Sequence, residues 1–563
     1  MNNMKKNRTS ILLAMLLMGA SAMAQVTVSW GTIDKRYPIE MKAEIKPVKN
    51  PSLTAWQGER VNMQMVVANS GGEQEISIDF GDLVDSKGNI ISAEYIKGGI
   101  VEPVIADTFS GCGNHAIDAH GTYPTADRIT MESTAKIPEK GMRGLWMTVQ
   151  VPRGIKAGTY SGKVTVAAGE KKSVREYKVK VLESVLPEPK DWRFHLDLWQ
   201  NPYAVARYHN VTPWSKEHFE VLRPYMEKLA SAGQKAITAT LINKPWNGQT
   251  EDPFGSMVTW IKLADGRWIY DFTIFDRWVE FMDGCGITKE ITCFSMIPWR
   301  LSFRYYDQAT DSHQEIKCAP GQKEYTEYWG GMLKAFRAHL VEKGWLDRTF
   351  ISMDERSVKQ MQAAIKVIHD YAPGLKISLA GYYHPEIEKD LSDYSVNNNG
   401  GKEFPEGVVE RRRSEGKKST YYTCCSAEYP NVFTFTDPAD CEYVALHSLK
   451  IDVDGYLRWA YNSWTIDPEK DSRFRSWPSG DTYIIYPGNT SSIRWERLVQ
   501  GIESFEKWHI MMEDAKAKND KNMQRRLNKL LEILDINKIA NESERMAKEF
   551  RDGLNALSAS KKY

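Results

Sequence analysis

Apolar and polar residues alternate along the first third of the chain, from residue 26 to about residue 185. A period of two is typical of strands with one buried face, and the Gly, Asn and Asp residues between the runs favour antiparallel pairing. We therefore predict an N-terminal β-sandwich domain over residues 25–188. The runs that carry the alternation lie at 61–67, 145–151, 164–166 and 177–181.

The period changes after residues 186–189, where two prolines in four residues can continue neither a strand nor a helix. Eight short apolar runs follow, several of them separated by helical patterns at 218–232, 325–343 and 358–371. Strands that alternate with helices indicate parallel βαβ units, and eight of them in about 300 residues predict a (β/α)8 barrel of the TIM type, assigned here to residues 189–491. The alternative is an open doubly wound α/β sheet, but no glycine-rich phosphate loop follows any run. The predicted strands are 193–199, 236–242, 290–296, 349–353, 376–380, 394–396, 419–425 and 455–460.

Beyond residue 491 the pattern is helical to the end of the chain. Leu527, Leu530, Leu531 and Leu534 form an apolar stripe among Lys, Arg and Glu residues. We predict that C-terminal helices over 492–563 pack on the barrel. A coiled coil with a partner is the alternative, but the stripe is short for one.

The first 24 residues have the pattern of a secretory signal peptide. Lys5, Lys6 and Arg8 precede an apolar stretch at 11–20, and Ala22 and Ala24 are the small residues that a signal peptidase requires. The pattern predicts an exported protein, periplasmic or secreted; a short buried helix is the alternative. No later stretch approaches about 18 consecutive apolar residues, so no membrane span is expected.

Charge and cysteine content argue against several classes of function. With 74 basic and 73 acidic residues, the chain lacks the basic excess of most nucleic-acid-binding proteins, and we expect no nucleic-acid partner. The basic cluster at 411–418 is interrupted by Glu415, and we expect a solvated surface there. Seven cysteines are too few for a disulfide scaffold, and Cys424 and Cys425 are expected to pack inside a strand. The zinc signatures CxxC and HExxH are absent, so neither a metal site nor a cofactor is expected.

Two adjacent carboxylates, Asp354 and Glu355, follow the apolar run at 349–353. In a (β/α)8 barrel, catalytic groups lie at the carboxyl ends of the strands. Two carboxylates with different protonation states are what hydrolysis of a glycosidic bond requires. The alternative is structural, because Asp354 could cap the next helix and Glu355 could favour its first turn. In the context of a barrel, the pair makes a glycosidase the leading hypothesis.

Aromatic and polar residues cluster where the predicted barrel strands end. Aromatic faces pack on the C–H face of a sugar, and neighbouring polar groups bind its hydroxyls. Inside the first strand, His195 is as well explained by the core as by a ligand, whereas Asp197 is the better candidate for a substrate contact. Ordinary core packing explains most single aromatic residues, so the cluster carries the argument. The candidate substrate-binding residues are His195, Asp197, Trp199, Trp299, Tyr382, Tyr422, Arg458, Trp459, Asn462 and Trp464.

Several segments resemble glycoside hydrolase family 123, the β-N-acetylgalactosaminidases, over nearly the whole chain that follows residue 24. The Asp354-Glu355 pair within the segment 352–355 is the functionally specific part of the resemblance. The remaining segments are 55–60, 155–160, 480–481, 486–488 and 494–497.

The resemblance implies an exo-acting, retaining hydrolase that releases terminal β-linked N-acetylgalactosamine by substrate-assisted catalysis. Glu355 would act as general acid and then as base. Asp354 would orient the acetamido N–H and help keep Glu355 protonated. Tyr382 or Tyr422 would hold the acetamido carbonyl, and Trp459 and Trp464 are candidates for the sugar platform.

The expected partner is a carbohydrate with terminal β-linked N-acetylgalactosamine, and the sequence leaves the aglycone and the oligomeric state open. Two alternatives remain: a non-catalytic glycan-binding protein, and a glycosidase with a different sugar specificity on the same fold.

Overall fold

The structure is a computed structural model that describes residues 26–40, 49–397, 403–559 and 561–563. The predicted signal peptide at 1–24 lies outside the described residues. In the described part of the chain, no helix combines the length and the apolarity needed to cross a membrane.

The N-terminal region is a β-sandwich, as the alternation predicts. Strands β1, β3, β10, β7 and β8 pair in that order in one sheet, and β2, β12, β11, β4 and β9 form most of the other, with β5 and β6 at its side. The strands are β1 Val26–Trp30, β2 Ser52–Gln57, β3 Arg60–Asn69, β4 Gln74–Phe80, β5 Leu83–Val84, β6 Ile90–Ile91, β7 Ile96–Ala106, β8 Tyr123–Thr130, β9 Thr134–Ile137, β10 Met142–Gln150, β11 Gly158–Ala168 and β12 Lys171–Val185.

The first of these sheets is buried on both faces. Met63, Met65 and Val67 of β3 face the second sheet in the sandwich core. Their polar neighbours Asn62 and Gln64 are also buried, and Asn62 donates a hydrogen bond to Gln500 in the C-terminal region. The sandwich therefore lies directly against the rest of the protein.

The second region is an eight-stranded parallel barrel, and all eight predicted strands are confirmed. Its spatial order is β13, β24, β23, β22, β21, β20, β17 and β14. Because the strands are parallel, their carboxyl ends lie at one edge. The eight barrel strands are β13 His195–Leu198, β14 Ala236–Thr240, β17 Glu290–Phe294, β20 Thr349–Asp354, β21 Lys376–Gly381, β22 Asp393–Asn397, β23 Lys418–Tyr422 and β24 Gly455–Arg458. Four further strands lie between them in the chain: β15 Thr259–Lys262, β16 Trp268–Asp271, β18 Ser302–Asp307 and β19 Ser312–Lys317.

The barrel closes between β13 and β14 largely through side chains. One isolated backbone bridge joins Leu196 to Gln234 in the described residues. The side chain of Gln234 accepts a hydrogen bond from the backbone of Leu198, and that of Gln200 accepts one from Thr238. Two glutamines thus replace part of the backbone ladder at this seam.

Helices cover the barrel and follow it. The predicted helix at 358–371 is α5, and Pro224 lies inside α2 without ending it. The helices are α1 Pro202–Tyr208, α2 Lys216–Ala230, α3 Thr273–Gly284, α4 Lys323–Glu342, α5 Val358–Tyr371, α6 Val408–Ser414, α7 Pro438–Lys450, α8 Ile493–Ala517, α9 Lys521–Leu531 and α10 Ile539–Ser558.

Helix α8 holds the two regions together. It packs against α7 of the barrel and contacts β3 and β8 of the sandwich. Lys507 bonds Glu59 at 2.8 Å and Arg494 bonds Asp127 at 2.8 Å, and all four side chains are buried. Buried pairs of this kind fix the orientation of the two regions, because breaking one would leave a charge without a partner.

Three features differ from the pattern of the sequence. The strands β15, β16, β18 and β19 form a separate four-stranded sheet beside the barrel, and a further strand, β25 Thr490–Ser492, joins the first sandwich sheet next to β8. The prediction of a solvated basic surface at 411–418 is wrong for Arg412. Its guanidinium is fully buried and bonds Glu388 at 2.9 Å.

Candidate active site

A cavity of about 230 Å³ lies at the carboxyl edge of the barrel. Residues that follow seven of the eight strands contribute to its wall, and Trp477 and Asp481 come from the segment after β24. This is the edge at which barrel enzymes place their chemistry. The wall is formed by Trp199, Trp246, Gln249, Trp299, Asp354, Glu355, Arg356, Ala380, Tyr422, Cys424, Cys425, Leu457, Trp459, Trp477 and Asp481.

Asp354 is the last residue of β20, and two side chains hold its carboxylate. The indole N–H of Trp246 donates to Oδ1 at 2.9 Å. The hydroxyl of Ser295 donates to Oδ2 at 2.7 Å. Each oxygen thus receives one hydrogen bond from the protein, and a carboxylate oxygen has a second lone pair for a ligand.

Burial raises the pKa of Asp354 to about 6, although the hydrogen bonds from Ser295 and Trp246 act in the opposite direction. Asp354 is therefore ionised at neutral pH and becomes protonated in mildly acidic solution. An ionised carboxylate in a cavity is a strong acceptor for an N–H group of a ligand.

Glu355 lies where the strand has ended, and its carboxylate turns toward β21. Its Oε1 accepts the backbone N–H of Tyr382 at 3.0 Å and lies 2.8 Å from Nε2 of His384. Gly381 allows this approach, because a Cβ at position 381 would lie 3.0 Å from Cδ and from Oε2 of Glu355. Adjacent residues of a strand point to opposite faces, and the bend after Asp354 brings both carboxylates to one cavity.

Because Oε1 is occupied by the Tyr382 N–H and by the contact with His384, Oε2 is the oxygen that is free to carry a proton when Glu355 is neutral. The same oxygen can accept a proton when Glu355 is ionised. Glu355 can therefore act as acid and as base without changing its orientation.

Tryptophans form the sides of the cavity. Trp199 stacks on Trp246 with ring centroids 4.9 Å apart. On another side, Trp477 lies edge-on to Trp459 and to Trp299, at 6.0 and 6.5 Å. Trp299 is 41% exposed, whereas Trp199, Trp246 and Trp459 are buried. Aromatic rings that suit the apolar face of a sugar thus surround the carboxylates of the cavity.

The two candidate tyrosines occupy different positions. Tyr422 is part of the cavity wall, and burial raises the pKa of its hydroxyl well above the usual value. It stays protonated and can donate a hydrogen bond. Tyr382 contributes its backbone N–H to Glu355.

Arg458 is fully buried and acts behind the wall. Its guanidinium donates to Asp481 Oδ1 at 2.7 Å and to Asn431 at 2.8 Å. Burial raises the pKa of Asp481 to about 6, against the effect of Arg458. In the described part of the protein, Oδ2 accepts no hydrogen bond of good geometry, although the indole of Trp459 lies near enough to lower the pKa of Asp481. Asp481 is therefore an acceptor available to a ligand.

Six of the ten predicted substrate-binding residues do not line the cavity: Tyr382 and Arg458, which lie beside and behind the wall, and the four described next. Trp464 is fully buried in the core, where its indole donates to the Ile485 carbonyl at 2.9 Å. Asn462 is fully buried and bonds the backbone of Asn201 through both amide atoms. His195 and Asp197 lie inside the barrel, and His195 opens β13 at the amino edge.

The sandwich also reaches the rim of the cavity. Cys425 of the wall forms a disulfide with Cys112, 313 residues away, so the prediction that Cys425 simply packs in a strand is wrong. Beside it, the backbone of Gly113 and His115 donates to the carbonyls of Ser476 and Arg475. The segment 107–122 between β7 and β8 is thus fixed next to Trp477.

Sequence reasoning did not identify Trp246, Ser295, Gly381, His384, Trp477 and Asp481 as parts of this site. Ser295 lies near the end of the strand predicted at 290–296, and His384 follows the strand predicted at 376–380, so their positions were a usable signal. Trp246 and Trp477 lie in long connections without regular secondary structure, so hydrophobic periodicity does not predict where their side chains lie.

Two domain patterns match the chain. Residues 199–511 match the glycoside hydrolase 123 catalytic domain, and residues 30–168 match the glycoside hydrolase 123 N-terminal domain. No curated protein sequence matches.

Among solved structures, a family 123 glycoside hydrolase from Clostridium perfringens, described in a study of glycolipid glycan hydrolysis, superposes with a TM-score of 0.86. It is 26% identical, and the match covers 95% of this chain and 98% of that one. A β-glucuronidase from Parabacteroides merdae has a TM-score of only 0.30 at 8% identity, and the match covers 80% of this chain and 50% of the other.

The catalytic-domain match extends over more than half of the chain and includes the cavity with its two carboxylates. The chain belongs to glycoside hydrolase family 123.

Proposed function

We propose that this hydrolase is an exo-acting, retaining β-N-acetylgalactosaminidase that uses the 2-acetamido group of its substrate as the nucleophile. The observation that carries the proposal is the pair Asp354 and Glu355. Asp354 is oriented by Trp246 and Ser295 as an acceptor, and Glu355 beside it is held with Oε2 available for proton transfer.

In the first step, the acetamido oxygen attacks the anomeric carbon while the bond to the glycosidic oxygen breaks. Glu355 gives its proton to the departing oxygen. The acetamido nitrogen becomes positive in the resulting oxazolinium ion, and the ionised Asp354 accepts a hydrogen bond from its N–H.

In the second step, Glu355 takes a proton from water, and the oxygen of that water forms a bond to the anomeric carbon. The ring of the intermediate opens and the acetamido group is restored. Two inversions at one carbon give net retention.

The remaining polar groups of the cavity support recognition of the sugar. The Tyr422 hydroxyl is the better placed of the two tyrosines to donate to the acetamido carbonyl, because it belongs to the wall. Oδ2 of Asp481 suits a sugar hydroxyl. Trp199 and Trp459 offer faces for the ring, and the exposed Trp299 extends toward the aglycone side.

The proposed natural substrate is the glycan of a glycolipid, on the strength of the Clostridium perfringens relative. We also propose that the protein is exported. The N-terminal pattern supports export, and the Cys112–Cys425 disulfide suits an oxidising compartment.

Three aryl glycosides test the proposal: the β-N-acetylgalactosaminide, the β-N-acetylglucosaminide and the plain β-galactoside. We expect release from the first alone, because the other two lack either the galacto configuration or the acetamido group. Efficient hydrolysis of the plain β-galactoside would contradict acetamido participation.

Two further measurements examine the mechanism. A thiazoline that mimics the oxazolinium ion is expected to inhibit competitively, and NMR is expected to show the β-anomer as the first product. Formation of the α-anomer first would contradict retention. Glu355→Gln is expected to lose most activity on substrates with poor leaving groups and less on substrates with good ones.

A further inference from the structure

A second cluster of ionisable side chains lies at the other end of the barrel. His195, Glu290 and Asp393 are the first residues of β13, β17 and β22. They therefore lie at the amino edge, whereas Asp354 closes β20 at the carboxyl edge. The cluster is separate from the active site.

The three side chains meet inside the barrel. In the spatial order of the strands, no two of β13, β17 and β22 are neighbours. Contact between residues on non-adjacent strands of a closed barrel requires that their side chains point to its axis. His195 Nε2 lies 3.5 Å from Asp393 Oδ2 and 3.7 Å from Glu290 Oε2, and the possible ligand atoms of the three residues lie within 4.8 Å of one another.

These groups are buried and their polar atoms are poorly satisfied. The side chains of His195, Asp393 and Glu290 are 3%, 8% and 12% exposed. In the described part of the chain, His195 Nε2, Glu290 Oε2 and Asp393 Oδ1 have no hydrogen-bond partner. A fourth such atom, Oδ1 of the buried Asp197, belongs to the same strand as His195, two residues on. Buried polar groups are normally bonded, so the three orphaned atoms of His195, Glu290 and Asp393 in one place require an explanation.

We propose that His195, Glu290 and Asp393 bind a divalent transition-metal ion, best matched by Zn²⁺, with a water molecule as the fourth ligand. Neutral imidazole and carboxylates are common zinc ligands. Two carboxylates and a neutral imidazole carry two negative charges, which a divalent ion balances.

The distances support an ion more than a direct hydrogen bond. Both contacts of His195 Nε2 exceed the usual hydrogen-bond length of about 2.7–3.2 Å. Two ligands that are each about 2.1 Å from one ion subtend about 113° when they are 3.5 Å apart and about 124° when they are 3.7 Å apart. These angles are close to tetrahedral. The two carboxylate oxygens lie within 4.8 Å of each other, and tetrahedral binding would bring them to about 3.4 Å.

The position of the cluster gives such an ion a structural role. The seam of the barrel lies between β13 and β14, and β17 is the strand that follows β14 around the barrel. An ion bound by His195 and Glu290 would connect β13 to β17 across this seam, and Asp393 would connect both to the opposite wall. No catalytic step depends on it.

No short motif marks this site, because about 95 and 103 residues separate its three ligands, whereas zinc signatures place ligands within a few residues of each other. In the described residues, this is the group of three potential metal ligands that the fold assembles. Without a metal, the same residues would form an ion pair around a protonated His195.

The test measures metal directly. The full-length protein is unfolded, freed of metal with a chelator, and refolded with either Zn²⁺ or Co²⁺. We expect about one Zn²⁺ per chain by elemental analysis, visible absorption bands of tetrahedral Co²⁺, and an unfolding temperature above that of protein refolded without metal. A folded chain that binds no Zn²⁺, gives no Co²⁺ bands and has the same unfolding temperature with and without metal would overturn the proposal.

Variants localise the ion. Asp393→Asn and His195→Gln are expected to lose the metal and its stabilising effect. His218→Gln is the matched control, because His218 is also fully buried but its ring contacts the carbonyl of Pro202 at 2.8 Å. It is expected to lower stability while the metal content stays unchanged. Metal retention by both cluster variants would place the ion elsewhere and overturn the assignment.

Discussion

Gly381 lies against Glu355 so closely that a Cβ on Gly381 would come within 3.0 Å of the Glu355 carboxyl carbon. Such a contact is tighter than nearly all Cβ contacts, so the Glu355 side chain would have to shift by a few tenths of an ångström. Glu355 also depends on the neighbouring backbone N–H of Tyr382. Glu355, the proposed general acid, is therefore positioned by a missing side chain as much as by its hydrogen bonds.

Gly381→Ala is expected to lower kcat by about 10- to 100-fold, because a displacement of the acid by a fraction of an ångström misaligns proton transfer. Steady-state kinetics and a thermal unfolding curve measure the effect. Gly284→Ala is the control, since a Cβ at position 284 meets nothing within 4 Å, and it is expected to keep full activity. Wild-type kcat in Gly381→Ala would show that Glu355 tolerates the shift.

Asp354 is expected to link activity and stability to pH in opposite directions. Its pKa in the folded state is about 6, above the value of about 3.9 for an unfolded chain. The folded state therefore binds the proton of Asp354 more tightly than the unfolded state does. The contribution of Asp354 to the free energy of unfolding is greatest below about pH 4 and is lost as the pH rises through 6. The proposed chemistry needs the ionised form, so activity is expected to fall as the pH drops below about 6.

Asp354→Asn removes this conflict. We expect the variant to lose at least about 100-fold in kcat and to gain on the order of 1–3 kcal/mol in the free energy of unfolding at pH 7. Asp440→Asn is the control, because burial also raises the pKa of Asp440, to about 7, but Asp440 lies on α7 outside the cavity. It is expected to gain stability and keep activity. Full turnover by Asp354→Asn would contradict acetamido participation.

The barrel was predictable because its strands are short, mostly buried runs and most of them are separated by helices. The four-stranded sheet beside the barrel could not be predicted, because its strands β18 and β19 have few buried residues. The position of Asp354 and Glu355 could be predicted, because both lie where the strand β20 ends. The side chains that hold them could not be predicted, because Trp246, Ser295 and His384 come from three other connections and meet only in the folded chain.

His195 shows a second limit of sequence reasoning. Its run was predicted as 193–199, which places His195 inside a strand, but the strand begins at His195. A shift of two residues decides which edge of a parallel barrel a side chain approaches. Periodicity gives the face of a strand reliably and its ends poorly.

His384 is expected to support the acid through its contact of 2.8 Å with Glu355 Oε1. His384→Ala is expected to lower kcat by roughly 10- to 100-fold on a substrate with a poor leaving group, because that reaction depends most on proton donation. The loss on a nitrophenyl glycoside is expected to be smaller. His384→Gln keeps a donor and is expected to recover part of the activity; equal losses for both leaving groups would indicate a purely structural role.

The disulfide between Cys112 and Cys425 is expected to affect both stability and the binding of long substrates. Loss of a bond that closes so long a loop typically costs about 2–5 kcal/mol. The double variant Cys112→Ser/Cys425→Ser is therefore expected to unfold at a lower temperature and to be insensitive to a reductant that destabilises the wild type. Cys285→Ser is the control, since Cys285 is a free thiol outside the cavity. Because Cys112 fixes the segment 107–122 at the rim, the KM for an oligosaccharide is expected to rise more than the KM for an aryl glycoside; equal changes would show that this segment does not contact the aglycone.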